Sequence, residues 1–234
     1  MTNSLRLRGV HLAAWLIGAG TAFTATATAA IPEGFTPLFD GHTARGWHVS
    51  RSSHQGVAPR VEVRNGELHL SQQVSGQGGV LLTDRTYLNF ELYLETRPDE
   101  GCDGGVFLRS TESGNAYQVN LDNLGPDAIN GSLVSEGRPV SPTAVNQTKA
   151  WRRGDWNSFR VRVTGGDTPR LMLWINDELA WDVTQARSRL IPDVQGGAIG
   201  LQIHFSSAWP GGPSPRWIPG GIHRFRNIGI RELP

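Results

Sequence analysis

The chain has 234 residues, with 22 basic and 21 acidic side chains and a formal net charge of +1 at pH 7. This near-neutrality gives no electrostatic case for nucleic-acid binding, because contacts to phosphates call for an excess of Lys and Arg. The single cysteine, Cys102, excludes an internal disulfide, so a hydrophobic core has to stabilise the fold.

The first 29 residues have the pattern of a secretory signal peptide. Arg6 and Arg8 precede an apolar run over residues 10–23, and a tail of small residues follows. The run is shorter than the roughly 20 residues that span a bilayer, so a membrane anchor is the weaker alternative. We predict cleavage near Ala29 or Ala30, which leaves 20 basic against 21 acidic residues in a secreted or periplasmic protein.

Residues 31–234 are predicted to form a single β-rich domain. Apolar and polar residues alternate with period two in many short segments, each bounded by Gly, Asn, Asp or Pro. Asn65-Gly66 and Asn176-Asp177 predict tight hairpin turns between such segments. That many short strands close a core only as two stacked sheets or a barrel, and we favour a sandwich of antiparallel sheets.

Polar residues recur at the alternate positions of four predicted strands, FELYLETR, GGVFLRS, AYQVNLDN and GAIGLQIHF. The large apolar residues between them must face the core, because leaving each in water would cost about 1.5–3 kcal/mol. The polar positions therefore face outward. These positions are Glu95, Arg109, Gln118, Asn120, Asp122, Gln202 and His204.

If the four strands are neighbours in one sheet, these side chains form a field of groups that hydrogen-bond sugars. Gly104, Gly105 and Gly200 are expected to leave room beside them. The alternative is an ordinary solvated sheet face.

Motifs of several common hydrolases are absent from the sequence, including G-x-S-x-G and H-E-x-x-H. The segment ELYLE has the end spacing of a retaining sandwich glycosidase motif but lacks its central Asp, which disfavours ordinary retaining hydrolysis. Asp99, Glu100 and Asp103 fall together in PDEGCDGG, a predicted loop. Such a loop suits calcium, and a solvated acidic turn is the simpler alternative.

Several segments together resemble the 3-keto-disaccharide hydrolase family, long catalogued as a domain of unknown function. They run in order from about Phe35 to Leu233 and include GFTPLFDGHTARGWHVS, VEVRNGELHL, DGGVFLRS, YQVNLDN, GDWNSFRVRV, WINDELAWDV and FRNIGIREL. The resemblance implies an all-β, concanavalin A-like jelly-roll sandwich that acts on glycosides already oxidised at carbon 3. Many members have Glu where this chain has Gln118, which removes a charge from the implied site.

The implied reaction starts at carbon 2, whose proton a ketone at carbon 3 acidifies. A base forms an enolate, the enolate expels the aglycone from carbon 1, and water can then add back. We predict His204 as the base, since an imidazole titrates near neutrality. Arg109, or a divalent cation held by Asp122, Glu95 or His204, would stabilise the enolate oxygen. Glu95 is predicted to orient either the base or this electrophile. The alternative for Glu95 and Arg109 is a structural ion pair across adjacent strands.

The remaining outward residues are predicted to bind substrate. They are Gln118, Asn120, Asp122 and Gln202, together with Trp209 and Trp217, which stack on a sugar ring or else anchor a Pro-rich loop. The predicted partner is a carbohydrate, and the cofactor is left open between one divalent cation and none. A non-catalytic, lectin-like carbohydrate-binding module is the alternative function, because the same sandwich serves binding proteins.

Overall fold

The computed structural model describes residues 30–73, 76–125, 130–135, 138–139, 149–185, 188–191, 195–206 and 216–234. The predicted signal peptide lies outside these ranges. Within them, no helix has the length and apolar character needed to cross a membrane.

Strands account for nearly all the regular structure of the described residues. In chain order they are β1 (Thr36–Pro37), β2 (Trp47–Val49), β3 (Pro59–Arg64), β4 (Glu67–Gln72), β5 (Gly79–Tyr87), β6 (Phe90–Pro98), β7 (Cys102–Ser110), β8 (Tyr117–Asn123), β9 (Leu133–Ser135), β10 (Arg138–Pro139), β11 (Asn157–Thr164), β12 (Arg170–Ile175), β13 (Glu178–Thr184), β14 (Gly197–Ile203) and β15 (His223–Glu232). The predicted strands are all present. The shortest elements, β1, β2, β9 and β10, were not predicted, because two or three residues are too few to show an alternation.

The strands form two antiparallel sheets. The eight-stranded sheet has the order β13-β12-β11-β6-β15-β4-β3, with β1 also paired to β15. The seven-stranded sheet has the order β10-β9-β8-β7-β14-β5-β2. Chain neighbours such as β6 and β7 thus lie in different sheets, and the predicted all-β jelly-roll sandwich is confirmed.

The core lies between the inner faces of the two sheets, as the alternation predicts. In β8 the buried residues are Tyr117, Val119 and Leu121, together with Asn123 at the strand's end, whereas the residues between them are half-buried. In β11 the buried set is Phe159, Val161 and Val163, together with Asn157 at the strand's start. Each large apolar side chain removed from water stabilises the fold by about 1.5–3 kcal/mol, so the two inner faces hold the sandwich together.

Two predicted hairpin turns are confirmed by their backbone angles. Asn65 and Gly66 have φ values of 52° and 80°, and Asn176 and Asp177 have values of 50° and 68°. Positive φ at both central residues is the requirement of the turn that best matches the twist of a two-residue hairpin. These turns set the register of β3 with β4 and of β12 with β13.

Candidate functional site

Three of the four polar strands lie side by side in the seven-stranded sheet. On its outer face, Gly105 of β7 pairs with Asn120 of β8 on one side and with Gln202 of β14 on the other. The half-buried residues of β8 and the residues at the end of β14 therefore converge on one surface. This surface, called the polar face below, contains Asp103, Gln118, Asn120, Asp122, Gln202 and His204.

The amides of the polar face bond to one another. Gln118 Nε2 donates to the Asn120 Oδ1 at 3.2 Å and to the Gln202 Oε1 at 3.2 Å, and it also reaches the Gly104 carbonyl at 3.1 Å. Gln202 Nε2 in turn donates to Gln55 Oε1 at 3.1 Å. Since amides both donate and accept, this row of linked amides presents fixed hydrogen-bonding groups of the kind that recognise sugar hydroxyls.

The glycines of the strands do not leave open space, contrary to the expectation. A Cβ on Gly105 would lie 2.5 Å from Gln118 Nε2, so the Gln118 side chain already covers that position. A Cβ on Gly200 would lie 2.9 Å from Val80 and 3.0 Å from Phe107. Gly104 faces the core, where His223 occupies the space. The glycines instead allow neighbouring side chains to lie flat across the sheet.

An apolar cluster occupies one half of the outer face of this sheet. Its buried members are Val80, Leu82, Phe107 and Ala198, with Ala116 packed against them. The polar face is the remaining half, along β8 and the end of β14.

His204 follows directly after β14 and is half-buried. Its backbone N–H donates to the Asp103 carbonyl at 2.9 Å, which ties it to β7. Its ring nitrogen Nδ1 lies 2.6 Å from the Phe205 carbonyl oxygen, which can only accept. Nδ1 therefore carries the proton in the neutral ring, and Nε2 is the basic nitrogen.

Asp103 belongs to the polar face, although the sequence placed it in an acidic loop. It lies in β7 opposite Asp122 of β8 and is 2% exposed. Arg216 Nη1 donates to its Oδ2, and its buried Oδ1 has no partner among the residues that the structure describes. Burial raises the pKa of Asp103, an effect that the nearby His204 and Arg216 oppose and the Asp122 carboxylate reinforces. Its position two residues before Gly105, on the same alternation, is the signal that could have placed it on this face.

These carboxylates do not form the calcium loop that the sequence allows, and the simpler alternative of a solvated acidic turn fits the exposed Glu100 but not the buried Asp103. Asp99 pairs with Arg224, Glu100 with Arg153 and Asp103 with Arg216. Each carboxylate thus has its own guanidinium, and the three do not share one position.

Glu95 lies in the other sheet, so its prediction as a neighbour of His204 is wrong. It is 3% exposed on the outer face of β6, where Arg226 Nε donates to it at 2.6 Å and Asn227 Nδ2 at 3.0 Å. Glu95 does form a structural ion pair, but its partner is Arg226 of β15 and not Arg109 as the alternative had it.

The metal set predicted from Asp122, Glu95 and His204 therefore does not converge. Among the residues that the structure describes, no three His, Cys, Asp or Glu side chains are arranged to hold a metal ion.

Arg109 does not face the polar surface either. At a bulge, Leu108 and Arg109 of β7 together oppose Ile199 of β14, and Arg109 has a φ of 52°. Its fully buried side chain extends past the end of β7. There it donates to the Leu88 carbonyl at 2.8 Å and to the Gly165 carbonyl at 2.5 Å. These carbonyls belong to turns at the ends of β5 and β11, so Arg109 ties the two sheets together.

Trp217 belongs to the core rather than to a stacking platform. It is 3% exposed, pairs with Cys102 in an isolated bridge and lies 4.9 Å from the buried His223 ring. The packing alternative is the one observed. Trp209 lies outside the described residues.

Two packed antiparallel sheets in jelly-roll order, with a polar outer face, define a concanavalin A-like sandwich, the architecture of many glycanases and lectins. The 3-keto-alpha-glucoside-1,2-lyase-like domain family matches residues 34–231, and the chain belongs to this family. Membership makes the chain a carbohydrate-active domain of a glycosyl hydrolase-like family. No curated protein matches its sequence.

Solved structures share the fold. A putative glycosyl hydrolase from Parabacteroides distasonis is 21% identical, with a TM-score of 0.53, over 85% of this chain and 99% of that one. A β-1,3-1,4-glucanase (lichenase) from a mouse hindgut metagenome is 12% identical, with a TM-score of 0.50, over 80% and 92%. The carbohydrate-binding module CBM66 from Bacillus subtilis is 13% identical, with a TM-score of 0.46, over 80% and 96%. At these identities the likeness to the first two structures shows the fold alone.

Proposed function

We propose that this protein is an exported enzyme that cleaves 3-keto-glycosides at the polar face, by removing the carbon-2 proton and eliminating the aglycone. The observation that carries the proposal is His204, a half-buried imidazole whose Nδ1 is committed to a carbonyl and whose Nε2 is left basic. Membership of a family described by a 3-keto-glucoside 1,2-lyase supports the substrate class.

The proposed chemistry uses the acidity that the ketone confers on carbon 2. Nε2 of His204 takes the carbon-2 proton, and the C–H electron pair becomes the enolate. That pair then forms the double bond between carbons 1 and 2 as the bond to the aglycone oxygen breaks. The imidazolium returns its proton to the departing oxygen, and water adding across the double bond gives net hydrolysis.

The neighbouring amides would hold the sugar against this base. Gln118, Asn120 and Gln202 lie on three positions of two strands that flank β7, and their mutual hydrogen bonds fix their orientation. Fixed donors and acceptors lower the entropic cost of aligning carbon 2 with Nε2. Asp122, half-buried at the end of the same row, would accept a further hydroxyl.

The test compares a 3-keto-glucoside with its unoxidised parent, using the wild type, His204→Ala and His54→Ala. His54 is the matched control, because its Nδ1 also lies 2.7 Å from a carbonyl oxygen, that of Ser113, but on an exposed loop. We expect cleavage of the keto substrate alone, a fall of about 10²–10⁴ in kcat for His204→Ala, and no change for His54→Ala.

A wild type that folds yet leaves the keto substrate intact would refute the enzyme proposal. If that protein nevertheless binds the glycan in a titration, the lectin-like alternative, which the amide-rich surface also suits, would take its place. Equal losses in the two histidine variants would refute the assignment of the base.

A further inference from the structure

We propose that Arg216 supplies the positive charge that stabilises the enolate oxygen at carbon 3, with Asp103 as the residue that positions it. This inference rests on the proposed function. It assigns the electrophile that an enolate requires, a role for which the sequence had suggested Arg109 or a metal ion.

Arg216 lies at the polar face, next to the base. Its carbonyl accepts the backbone N–H of Asp103 at 2.9 Å, while the Asp103 carbonyl accepts the backbone N–H of His204 at 2.9 Å. One peptide unit on either side of Asp103 thus connects the proposed electrophile to the proposed base. The Arg216 side chain is 32% exposed, so its guanidinium reaches both Asp103 and solvent.

Asp103 is suited to orient Arg216. Its Oδ2 accepts a hydrogen bond from Nη1 of Arg216, and burial of the Asp103 carboxyl restricts the positions it can take. The guanidinium has five N–H donors, so this bond leaves others for a substrate oxygen. Since the carboxyl is buried, it is the accessible guanidinium rather than the carboxyl that would contact the sugar.

The balance of charge on the polar face also favours this role. The charged groups that act on Asp103 are Arg216, His204 and Asp122. Burial raises the pKa of Asp103, and the Arg216 guanidinium opposes that rise, so the two charges are held together at the edge of the polar face. A preorganised cation of this kind stabilises developing oxyanion charge, because it pays no reorganisation cost during the reaction.

In the proposed step Arg216 changes no covalent bond. As His204 takes the carbon-2 proton, the C–H pair forms a π bond between carbons 2 and 3, and the π pair of the carbonyl moves onto oxygen 3. Hydrogen bonds from Arg216 hold that oxygen until the pair returns and the aglycone leaves. Loss of the guanidinium must therefore slow enolate formation itself, before any bond to the aglycone breaks.

The experiment measures two rates in wild type, Arg216→Ala, Asp103→Asn and Arg153→Ala. One is cleavage of a 3-keto-glucoside. The other is exchange of the carbon-2 proton for deuterium in a 3-keto sugar that carries no leaving group. Arg153→Ala is the matched control, since it also removes one guanidinium from an ion pair, with the Glu100 carboxylate, outside the polar face.

We expect Arg216→Ala to lower both rates by about 10²–10³, with partial rescue by guanidinium ion added to the solution. Asp103→Asn should lower both rates by about tenfold without that rescue, because the arginine is present but less firmly held. Arg153→Ala should match the wild type in both assays.

Cleavage lost with exchange unchanged in Arg216→Ala would overturn the proposal, as would full activity of that variant. A folded Arg216→Ala that guanidinium does not rescue would count against it as well. A wild type inactive in both assays would instead refute the proposed function, so the two failures can be told apart.

Discussion

The outer faces of the two sheets follow the same alternation but treat their charged residues differently. On the eight-stranded sheet the buried Glu91 carboxylate is bonded by Arg162 and Arg231, and Arg160 lies 3.9 Å away. On the seven-stranded sheet, the buried Asp103 has one oxygen bonded to Arg216 and one without a partner within the described part of the chain.

Aromatic rings extend the difference. The Arg160 guanidinium lies over the Trp174 ring, 3.9 Å from its centroid, and the Arg226 guanidinium lies over the Trp156 ring at 4.0 Å. These two guanidiniums stack on aromatic rings of the protein itself. Buried polar atoms without a partner among the described residues occur on both sheets, at Arg97 Nε and His69 Nδ1 as well as at Asp103 Oδ1. The seven-stranded sheet differs in the row of linked amides beside His204, and that row is why we place the proposed site on its outer face.

The largest effect on stability is expected where an arginine spans both sheets. Arg109→Met should lower the free energy of unfolding by about 3 kcal/mol, because a fully buried guanidinium loses its bonds to the Leu88 and Gly165 carbonyls. Urea unfolding would measure the loss. Arg85→Met, at an exposed pair with Glu232, is the control and should change little.

Turnover per folded molecule should survive in Arg109→Met. A variant that keeps wild-type stability but has lost activity would return Arg109 to the site.

A smaller loss of stability is expected from a change at Glu91, on the outer face of the eight-stranded sheet. Glu91→Gln should cost about 2 kcal/mol, since the carboxylate is wholly buried beneath its arginines. Glu62→Gln is the control, because Glu62 bonds Arg60 and Arg64 in the same way but at an exposed edge strand, and we expect no measurable loss.

The effect of Glu91 should depend on pH. Burial raises the pKa of Glu91, but Arg162 and Arg231 outweigh it and hold the pKa below its ordinary value of 4.5. The stabilisation is therefore present above that value and lost as pH falls through the lower, folded-state pKa. Wild type and Glu91→Gln should accordingly converge in acid. A constant difference across that range would show that the charge of Glu91 is not what stabilises the sheet.

The smallest effect is expected on the polar face. Gly105→Ala places a methyl group 2.5 Å from the Gln118 amide, which has to shift away. We expect a loss of about 1 kcal/mol in stability and a severalfold rise in KM, with kcat little changed. Gly125→Ala, where nothing lies within 4 Å, is the control. An unchanged KM would mean that Gln118 does not contact the substrate.

The strands could be predicted because alternation and turn residues are local properties of the chain. The placement of Gln118, Asn120 and Gln202 on one face followed from the same periodicity. Glu95 could not be placed, because alternation does not show which sheet a strand joins. β6, which ends at Pro98, joins the eight-stranded sheet, whereas the next strand, β7, joins the other. Arg109 failed for another reason, since a bulge with positive φ breaks the alternation and redirects its side chain.

One peptide bond separates the core from the site. Cys102 faces inward, fully buried, with its thiol pKa raised by burial to about 12, and Asp103 faces outward beneath Arg216. Successive residues of a strand are fixed relative to each other, so repacking around Cys102 would also shift Asp103. Attempts to redirect this scaffold to other sugars would therefore do well to conserve β7 and to vary the half-buried side chains of β8, where selectivity is adjustable without disturbing the interior.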